Sequence, residues 1–426
     1  MVWTITKKEI LENLLSFKFA IITIFSMVLI LTSIFIMYRD YQLRLENYEI
    51  LQPESNQPIA IIPPTPLSIF VKGLDESMGR SYEIRFGGQV RVGSKQQRVN
   101  NLFRLFTAPD LLYIVKVIIS LCAMLFAFDI ISGEKEAGTL RLSLSNNVGR
   151  PIIVIGKWIG GFVSLIVPFF IAILLGVILV TLSPQVQMNE ENWVKLGTFL
   201  LSSLLYLSVF FSLGLFISSI THRPASSLVI SLFMWALIVF VIPNLGNILA
   251  RQFVTIPSVQ QLEVKREHIW IKEVFDLEHN IKPSDRTISK QREAFNKVLN
   301  NINSENDRLI ADYRNRFNRL VNLSKTITRF SPSAAFTYLA TDIAGTGILE
   351  EYKLKQAVLR YKDLVYDKPT DSGGNLLGDF PAFSFQRSSV KEVINAEGFI
   401  NMTILIMFNI LIFAAAYVAF LRYDVR

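Results

Sequence analysis

The sequence predicts an all-α protein that crosses a membrane six times. Only 18% of its 426 residues are charged, whereas soluble domains carry about 25%. Hydrophobic residues make up 51%, and the mean hydropathy is +0.39. A helix needs roughly 20 mainly apolar residues to cross about 30 Å of hydrocarbon. Five stretches meet this length outright, and a sixth meets it if the span includes Lys116. A small β-hairpin and a mostly helical domain outside the membrane complete the predicted fold.

Each predicted span is a stretch almost free of Asp, Glu, Lys and Arg. The spans cover 19–38, 111–132, 151–182, 196–220, 225–249 and 397–421. The second contains Lys116, which must extend its ammonium group to the nearer interface. The remaining segments are 1–18, 39–110, 133–150, 183–195, 221–224, 250–396 and 422–426.

Lysine and arginine residues orient these spans. Six spans place both termini on one side of the membrane. Positive charges concentrate in the N-terminal segment, in 133–150 and in the tail, whereas the short loop 183–195 carries two glutamates and one lysine. Because short loops rich in Lys and Arg stay in the cytoplasm, both termini are predicted to be cytoplasmic. Segments 39–110 and 250–396 are then extracytoplasmic.

The segment 1–18 has the pattern of an amphipathic helix. Ile5, Ile10, Leu14 and Leu15 fall near one face, and the charged residues lie elsewhere. This pattern predicts a helix lying in the cytoplasmic membrane interface. A plain extension of the first span is the alternative. That span is too long for a cleavable signal peptide and is followed by no A-x-A-like site, so we interpret it as a retained anchor.

The first outer segment divides into two parts. Residues 39–66 are polar and rich in proline, which predicts extended, irregular chain. In 81–92, SYEIRFGGQVRV, polar and apolar residues alternate on both sides of Gly87-Gly88. This alternation around a glycine pair predicts a β-hairpin.

The second outer segment is predicted to be helical. Val259–Asn280 and Arg286–Arg329 are charge-rich, and the longer stretch carries apolar residues at spacings of three, four or seven. Such a stripe needs a partner surface. The short Lys-Pro-Ser break between them favours an antiparallel helical hairpin. A further helix is predicted over 333–367, and 369–389 is predicted to be a loop that returns to the last span.

The connection 133–150 carries the most informative motif of the chain. Three charged residues follow an uncharged span directly, which indicates a loop that leaves the bilayer and contacts something in water. The candidate residues for this contact are Glu134, Lys135, Glu136, Gly138, Thr139, Leu140 and Arg141. Residues 134–147 can form a short amphipathic helix. An ordinary charged loop between two spans is the alternative. Nothing places a substrate beside the two glutamates, so they are not catalytic candidates.

The sequence contains no phosphate-binding loop of the form G-x-x-x-x-G-K-S/T. The stretch from Gly149 to Trp158 has six residues between its glycines instead of four and runs into a membrane helix. No nucleotide cofactor is therefore expected on this chain, and we expect it not to be an enzyme. If ATP drives this protein, another polypeptide must hydrolyse it.

Other residue types exclude further classes of function. His268 and His279 have no cysteine or third histidine nearby, so no metal site is expected. Cys122 is the only cysteine and is predicted to be a buried apolar residue. The net charge of +8 is spread along the chain, which does not indicate nucleic-acid binding. The interiors of the spans lack the carboxylates that ion-coupled carriers usually need.

Gly156, Gly160 and Gly161 form a small-residue motif in the third span. Glycines at this spacing allow two helices to approach closely. The motif is compatible with packing inside one chain and with a contact between two copies. The sequence leaves both possibilities open.

The stretch GEKEAGTLRLSLSNNVGRPIIVIGKWIG resembles the ABC-2 family of ABC-transporter permeases, which are similar to type V exporters. In that family E-x-E-x-G-T-L precedes a leucine-rich stretch, a basic or proline step and G-K. Six spans with cytoplasmic termini and an N-terminal interfacial helix agree with the family. The chain departs from it at Arg141, where many relatives are acidic, and in the large helical insertion before the last span.

The resemblance implies a permease subunit of an exporter in the plasma membrane of a prokaryote. Two copies of a separate ABC ATPase would hold ATP and Mg and bind the 133–150 connection. A second permease chain, giving a homodimer, would complete the assembly. The resemblance implies no particular substrate. A non-transporting membrane scaffold, whose 250–396 domain binds an extracytoplasmic partner, is the alternative.

Overall fold

The computed structural model describes residues 1–51, 58–85, 89–92, 109–145, 149–280, 288–366 and 380–422. Among these residues, six helices are long and apolar enough to cross a membrane, and the predicted fold class is confirmed. These helices, M1 to M6, are Phe17–Leu51, Leu111–Glu136, Arg150–Thr181, Glu190–Ile220, Pro224–Phe253 and Val390–Leu421. The chain divides into two compact units, of which the second is Val241–Phe330.

The N-terminal helix α1 (Val2–Leu14) precedes M1. M1 continues to Leu51, so the prediction that the chain becomes irregular after residue 38 is wrong for 39–51. The residues there are mostly good helix formers, and Asp40 pairs with Arg44 one turn later at 3.0 Å. Because a helix tolerates polar residues once it has left the bilayer, the end of an apolar run does not mark the end of the helix.

The chain between M1 and M2 contains a small antiparallel sheet. Its strands are β1 (Ile59–Ala60), β2 (Tyr82–Arg85) and β3 (Gln89–Val92), with the short helix α2 (Asp75–Met78) before β2. Neighbouring strands pair in the order β1-β2-β3. The pairing of β2 with β3 confirms the predicted hairpin, although its Gly87-Gly88 turn lies outside the described residues.

The boundaries of M2 and M4 differ from the predicted ones. M2 starts after Asp110, whose carboxylate accepts a 2.8 Å hydrogen bond from the backbone N–H of Tyr113. It turns at 128–131, before the predicted break at Gly133. M4 starts at Glu190 instead of 196 because Asn189 caps its N-terminus. In the connection from M2 to M3, the helix α3 covers Thr139–Ser145.

The second unit contains the predicted helical hairpin. Its helices are α4 (Val259–Asn280) and α5 (Ile288–Thr328), and the Asn301 side chain donates to Glu273 across the pair at 3.3 Å. The break between the two helices lies outside the described residues. The end of M5 packs against α5 within this unit, where Ser324 bonds Asn247.

The segment 250–396 does not form one domain, which differs from the predicted organisation. From Ser331 onward the chain belongs to the first unit, as α6 (Pro332–Ala344) and α7 (Ile348–Tyr366). The α6 helix has few charged residues and is largely buried against M4 and M6. The Phe336 ring stacks on the Tyr206 ring of M4, with centroids 4.4 Å apart.

The helix α7 packs on the small sheet, so the segments 58–85 and 348–366 share one hydrophobic core. That core contains Ala60, Ile62, Met78, Ile84, Leu354, Val358, Tyr361 and Val365. Asp75 lies beside it and is 2% exposed. Its carboxylate binds Arg44 of M1 and, at 3.2 Å, Arg387 of the chain before M6. This ion cluster ties M1 to the chain before M2 and to the chain before M6.

Candidate functional site

The connection between M2 and M3 contains two short helices instead of the single one predicted over 134–147. The helix Ser132–Glu136 ends M2, and α3 starts at Thr139. Gly138 separates them with a φ of 72°, a left-handed conformation that side chains disfavour. The glycine of the motif therefore makes a sharp turn that redirects the chain.

Backbone and lysine contacts tie this connection to the end of M4. The N–H groups of Ile131 and Ser132 donate to the Ser218 hydroxyl at 3.0 and 2.9 Å. The Lys135 ammonium donates to the carbonyls of Ser219 and Thr221, the latter at 3.0 Å. A cation at this position is favourable because the last carbonyls of a helix carry partial negative charge. Lys135 is therefore a structural anchor of the loop.

Leu140 anchors the connection in a hydrophobic cluster and is fully buried. The cluster, which we call the loop anchor core, joins residues of M2, M3, M4 and M6. Its buried members are Ile131, Leu140, Ile153, Val154, Leu215, Ala416 and Phe420. Because packed interiors transmit displacement, a force on α3 is passed to several spans.

The other residues of the motif that are not anchored are exposed at the protein surface. Glu136, Gly138, Thr139 and Arg141 are exposed, and Leu142 is 68% exposed. An apolar side chain flanked by an acid and a base gives this surface the composition of a small protein contact. Leu140 and Leu142 have opposite environments because residues two apart on a helix lie on opposite faces.

A buried ion cluster, which we call the charge triad, lies next to the connection. The Lys157 ammonium of M3 is 2.5 Å from the Glu9 carboxylate of α1 and 2.9 Å from that of Glu134. Lys157 is 4% exposed and Glu9 6%. Burial raises the pKa of Glu9, and the adjacent ammonium opposes this rise. Among the described residues, Oε2 of Glu134 has no hydrogen-bond partner.

The three glycines of the small-residue motif are in contact within the chain. A Cβ atom added to Gly160 would lie 2.6 Å from the Glu9 Cβ, and one on Gly156 would lie 2.8 Å from Ile5. Gly161 instead faces Phe211 of M4. Gly156 and Gly160 therefore form the groove in which α1 lies against M3.

The orientation of α1 on this groove was not evident from the sequence. Thr6 and Glu9 are buried against M3, whereas Trp3, Leu11 and Leu15 are exposed. The polar face is turned to the protein because Lys157 supplies a partner there. A lysine inside an apolar helix requires such a partner, so Lys157 could have indicated a buried acid. It could not identify Glu9 as that acid.

The close fit of α1 on M3 gives a testable prediction. Gly160→Leu should displace α1, because overpacking of this kind costs about 1–3 kcal/mol. We expect trypsin to cut after Lys7 and Lys8 roughly ten-fold faster. Gly197→Leu is the matched control, since nothing described lies within 4 Å of its added Cβ. Equal cleavage rates in the two variants would contradict the proposed groove.

The described residues hold no group of three or more potential metal ligands. Residues Gly149 to Lys157 form the start of M3 and not a phosphate loop.

Comparison with known proteins agrees with this architecture. A family profile described as ABC-2 family transporter protein matches residues 3–425. The chain is 30% identical over 136 residues to a protein of Stutzerimonas stutzeri described as probable ABC transporter permease protein NosY. The match covers 32% of this chain and 49% of that relative, so the chain spans about half the relative's length.

Proposed function

This chain belongs to the ABC-2 family of transporter proteins and is a transmembrane subunit of an ABC transporter. From this premise we propose that it is the permease of an exporter and that a separate ATPase drives it through the M2–M3 connection. In this proposal both termini and the connection are cytoplasmic. Two copies of the permease and two ATPases, which hold ATP and Mg, form the complete transporter.

The observation that carries the proposal is the contrast within α3. Leu142 and Arg141 are accessible to a partner, while Leu140 is inserted into the loop anchor core. A partner that binds the exposed side can therefore displace residues of M2, M3, M4 and M6 together. Glu136 and Thr139 extend the same accessible surface. Glu134 and Lys135 have structural partners and are assigned to the anchor instead of the contact.

The charge triad extends this coupling to α1. Glu134 moves with the connection, and through Lys157 it is linked to Glu9. We infer that closure of the ATPases rocks the connection and α1 as one body. The spans of the two permease copies would then separate or close and move an amphipathic, lipid-like substrate.

Removal of the exposed leucine tests the ATPase contact. Leu142→Asp should weaken retention of the ATPase by roughly 30-fold, since a central contact residue is worth about 2 kcal/mol or more. The measurement is co-purification from native membranes with tagged permease, followed by MgATP hydrolysis of the complex. Glu136→Ala should weaken retention further. Leu182→Asp is the control, because Leu182 is 75% exposed in the turn after M3.

Two results would contradict the proposal. The first is a wild-type chain that retains no ATPase under any condition that preserves the fold. The second is a Leu142→Asp, Glu136→Ala variant that retains the ATPase as well as wild type does. Either result would favour the alternative, a membrane scaffold that binds an extracytoplasmic partner.

A further inference from the structure

One face of M1 changes from apolar to charged where the helix passes residue 38. Exposed apolar residues recur on this face at spacings of three, four or seven, as Phe25, Val28 and Phe35. Arg39 continues the same face, followed by Glu46. A straight helix thus carries a lipid-facing stripe and a charged stripe in register.

The charged stripe borders a groove of about 560 Å³. This volume is within the range of about 300–1,000 Å³ that is usual for small-molecule sites. The groove is lined by Arg39, Gln42, Leu43, Leu45, Glu46, Glu49 and Gln185.

The depth of this groove is fixed by contacts between M1 and the turn after M3. The Tyr38 hydroxyl lies 2.6 Å from that of Ser183, and Gln42 donates to Gln185 at 2.6 Å. These residues follow the apolar parts of both helices directly. The groove therefore lies where the hydrocarbon ends, at the opposite end of M1 from α1.

On one face of this part of M1 the charged residues are paired, whereas on the groove face they are not. Asp40 and Arg44 face the protein and are paired with Lys72 and Asp75. In the described part of the chain, the groove charges Arg39, Glu46 and Glu49 form no ion pair with one another or with other residues. Opposite charges are thus held on one face of M1, about 10 Å apart along its axis, without pairing with each other.

We propose that this groove binds the headgroup of a phosphoethanolamine lipid, with the acyl chains along the apolar stripe of M1. The Arg39 guanidinium matches a phosphate group, which it can bind through two hydrogen bonds. Glu46 lies two turns farther from the bilayer, about 10 Å along the axis. A headgroup can bridge this separation when its phosphate contacts Arg39 and its ammonium contacts Glu46. The order of charges along M1 is therefore that of the lipid.

The lining also selects between amines. A primary ammonium donates hydrogen bonds to carboxylates such as Glu46 and Glu49. A quaternary ammonium is recognised instead by aromatic rings. Of the residues that the structure describes, no aromatic one is among those that line the groove. We therefore infer a preference for phosphoethanolamine over phosphocholine lipids. This inference does not depend on the proposed function, because binding requires neither ATP nor a partner.

Native mass spectrometry of the purified full chain tests the site. Phosphatidylethanolamine and phosphatidylcholine with identical acyl chains are added in equal amounts. We expect the ethanolamine lipid to bind preferentially. Arg39→Gln should weaken its binding about ten-fold, the loss expected for one charge-assisted contact. Glu46→Gln with Glu49→Gln should abolish the preference between the lipids, and Lys391→Gln, on M6, should change neither.

Four outcomes would overturn the proposal. One is equal binding of the two lipids by wild type, and another is unchanged binding by Arg39→Gln. The third is that a second copy of the chain covers the groove face of M1. Leu43→Cys detects that case through disulfide-linked dimers, since the natural Cys122 is buried. Competition by soluble glycerophosphoethanolamine as strong as that by the lipid would likewise exclude a lipid site.

Discussion

Lys157→Met is expected to lower the free energy of unfolding by about 3–5 kcal/mol, the cost of removing one partner of a buried ion pair. The substitution leaves the Glu9 and Glu134 carboxylates facing each other without the cation that both contact. Like charges in such a site repel, and Glu9, which is 6% exposed, is largely shielded from water. We expect α1 to leave M3 and to unfold more readily. The backbone after Lys7 and Lys8 then becomes accessible to trypsin.

Titration with SDS in mixed micelles measures this loss, and limited trypsin digestion reports the release of α1. The triple variant Glu9→Gln, Glu134→Gln, Lys157→Met removes all three charges and should recover most of the stability. Glu12→Gln is the control, because it keeps both lysine cleavage sites and the Lys8–Glu12 pair is exposed, and such pairs contribute about 0–1 kcal/mol. A Lys157→Met protein as stable as the control variant would show that the charge triad does not hold α1.

Asp75→Ala is expected to cost about 3 kcal/mol through loss of the ion cluster between the outer segments. The Asp75 carboxylate is buried between Arg44 and Arg387. Both arginines keep other acceptors: Asp40 for Arg44, and the carbonyls of Gly345 and Pro63 for Arg387. The expected cost is therefore at the lower end of the range for a broken buried pair. The chain before M6 should separate from M1.

Hydrogen exchange of the 58–85 and 380–389 backbones measures this separation, together with the SDS midpoint. Asp363→Asn is the matched control, because Asp363 is largely exposed and its nearest cation, Lys362, is 3.7 Å away. Its expected effect is within about 0.5 kcal/mol. Faster exchange in both variants, or in neither, would contradict a specific role for Asp75.

The number and type of the main elements could be predicted from local sequence. Each span needs a long apolar run because lipid supplies no partner for backbone or charge, and such runs are visible in a single sequence. The hairpin at 82–92 and the helices around the Lys-Pro-Ser break were likewise evident from alternation and spacing. Errors arose where polar residues continued a helix, as in 39–51 of M1.

The candidate site was predicted only in part. The motif around Glu136 and Leu140 could be located because charges directly follow an apolar span. The sequence did not indicate that Leu140 is buried while Leu142 is exposed, since both are leucines in one short helix. It also did not identify Glu9 as the partner of Lys157, because 148 residues separate the two along the chain.

The sequence by itself determined that this protein spans a membrane six times and where the motif between M2 and M3 lies. The reason is physical, since membrane insertion acts on each stretch of chain according to its own composition. Tertiary structure alone decided which face of α1 is buried, that α6 returns to pack against M4, and that Asp75 joins two arginines. Those features depend on contacts between residues far apart in the chain, for which one sequence has no local pattern.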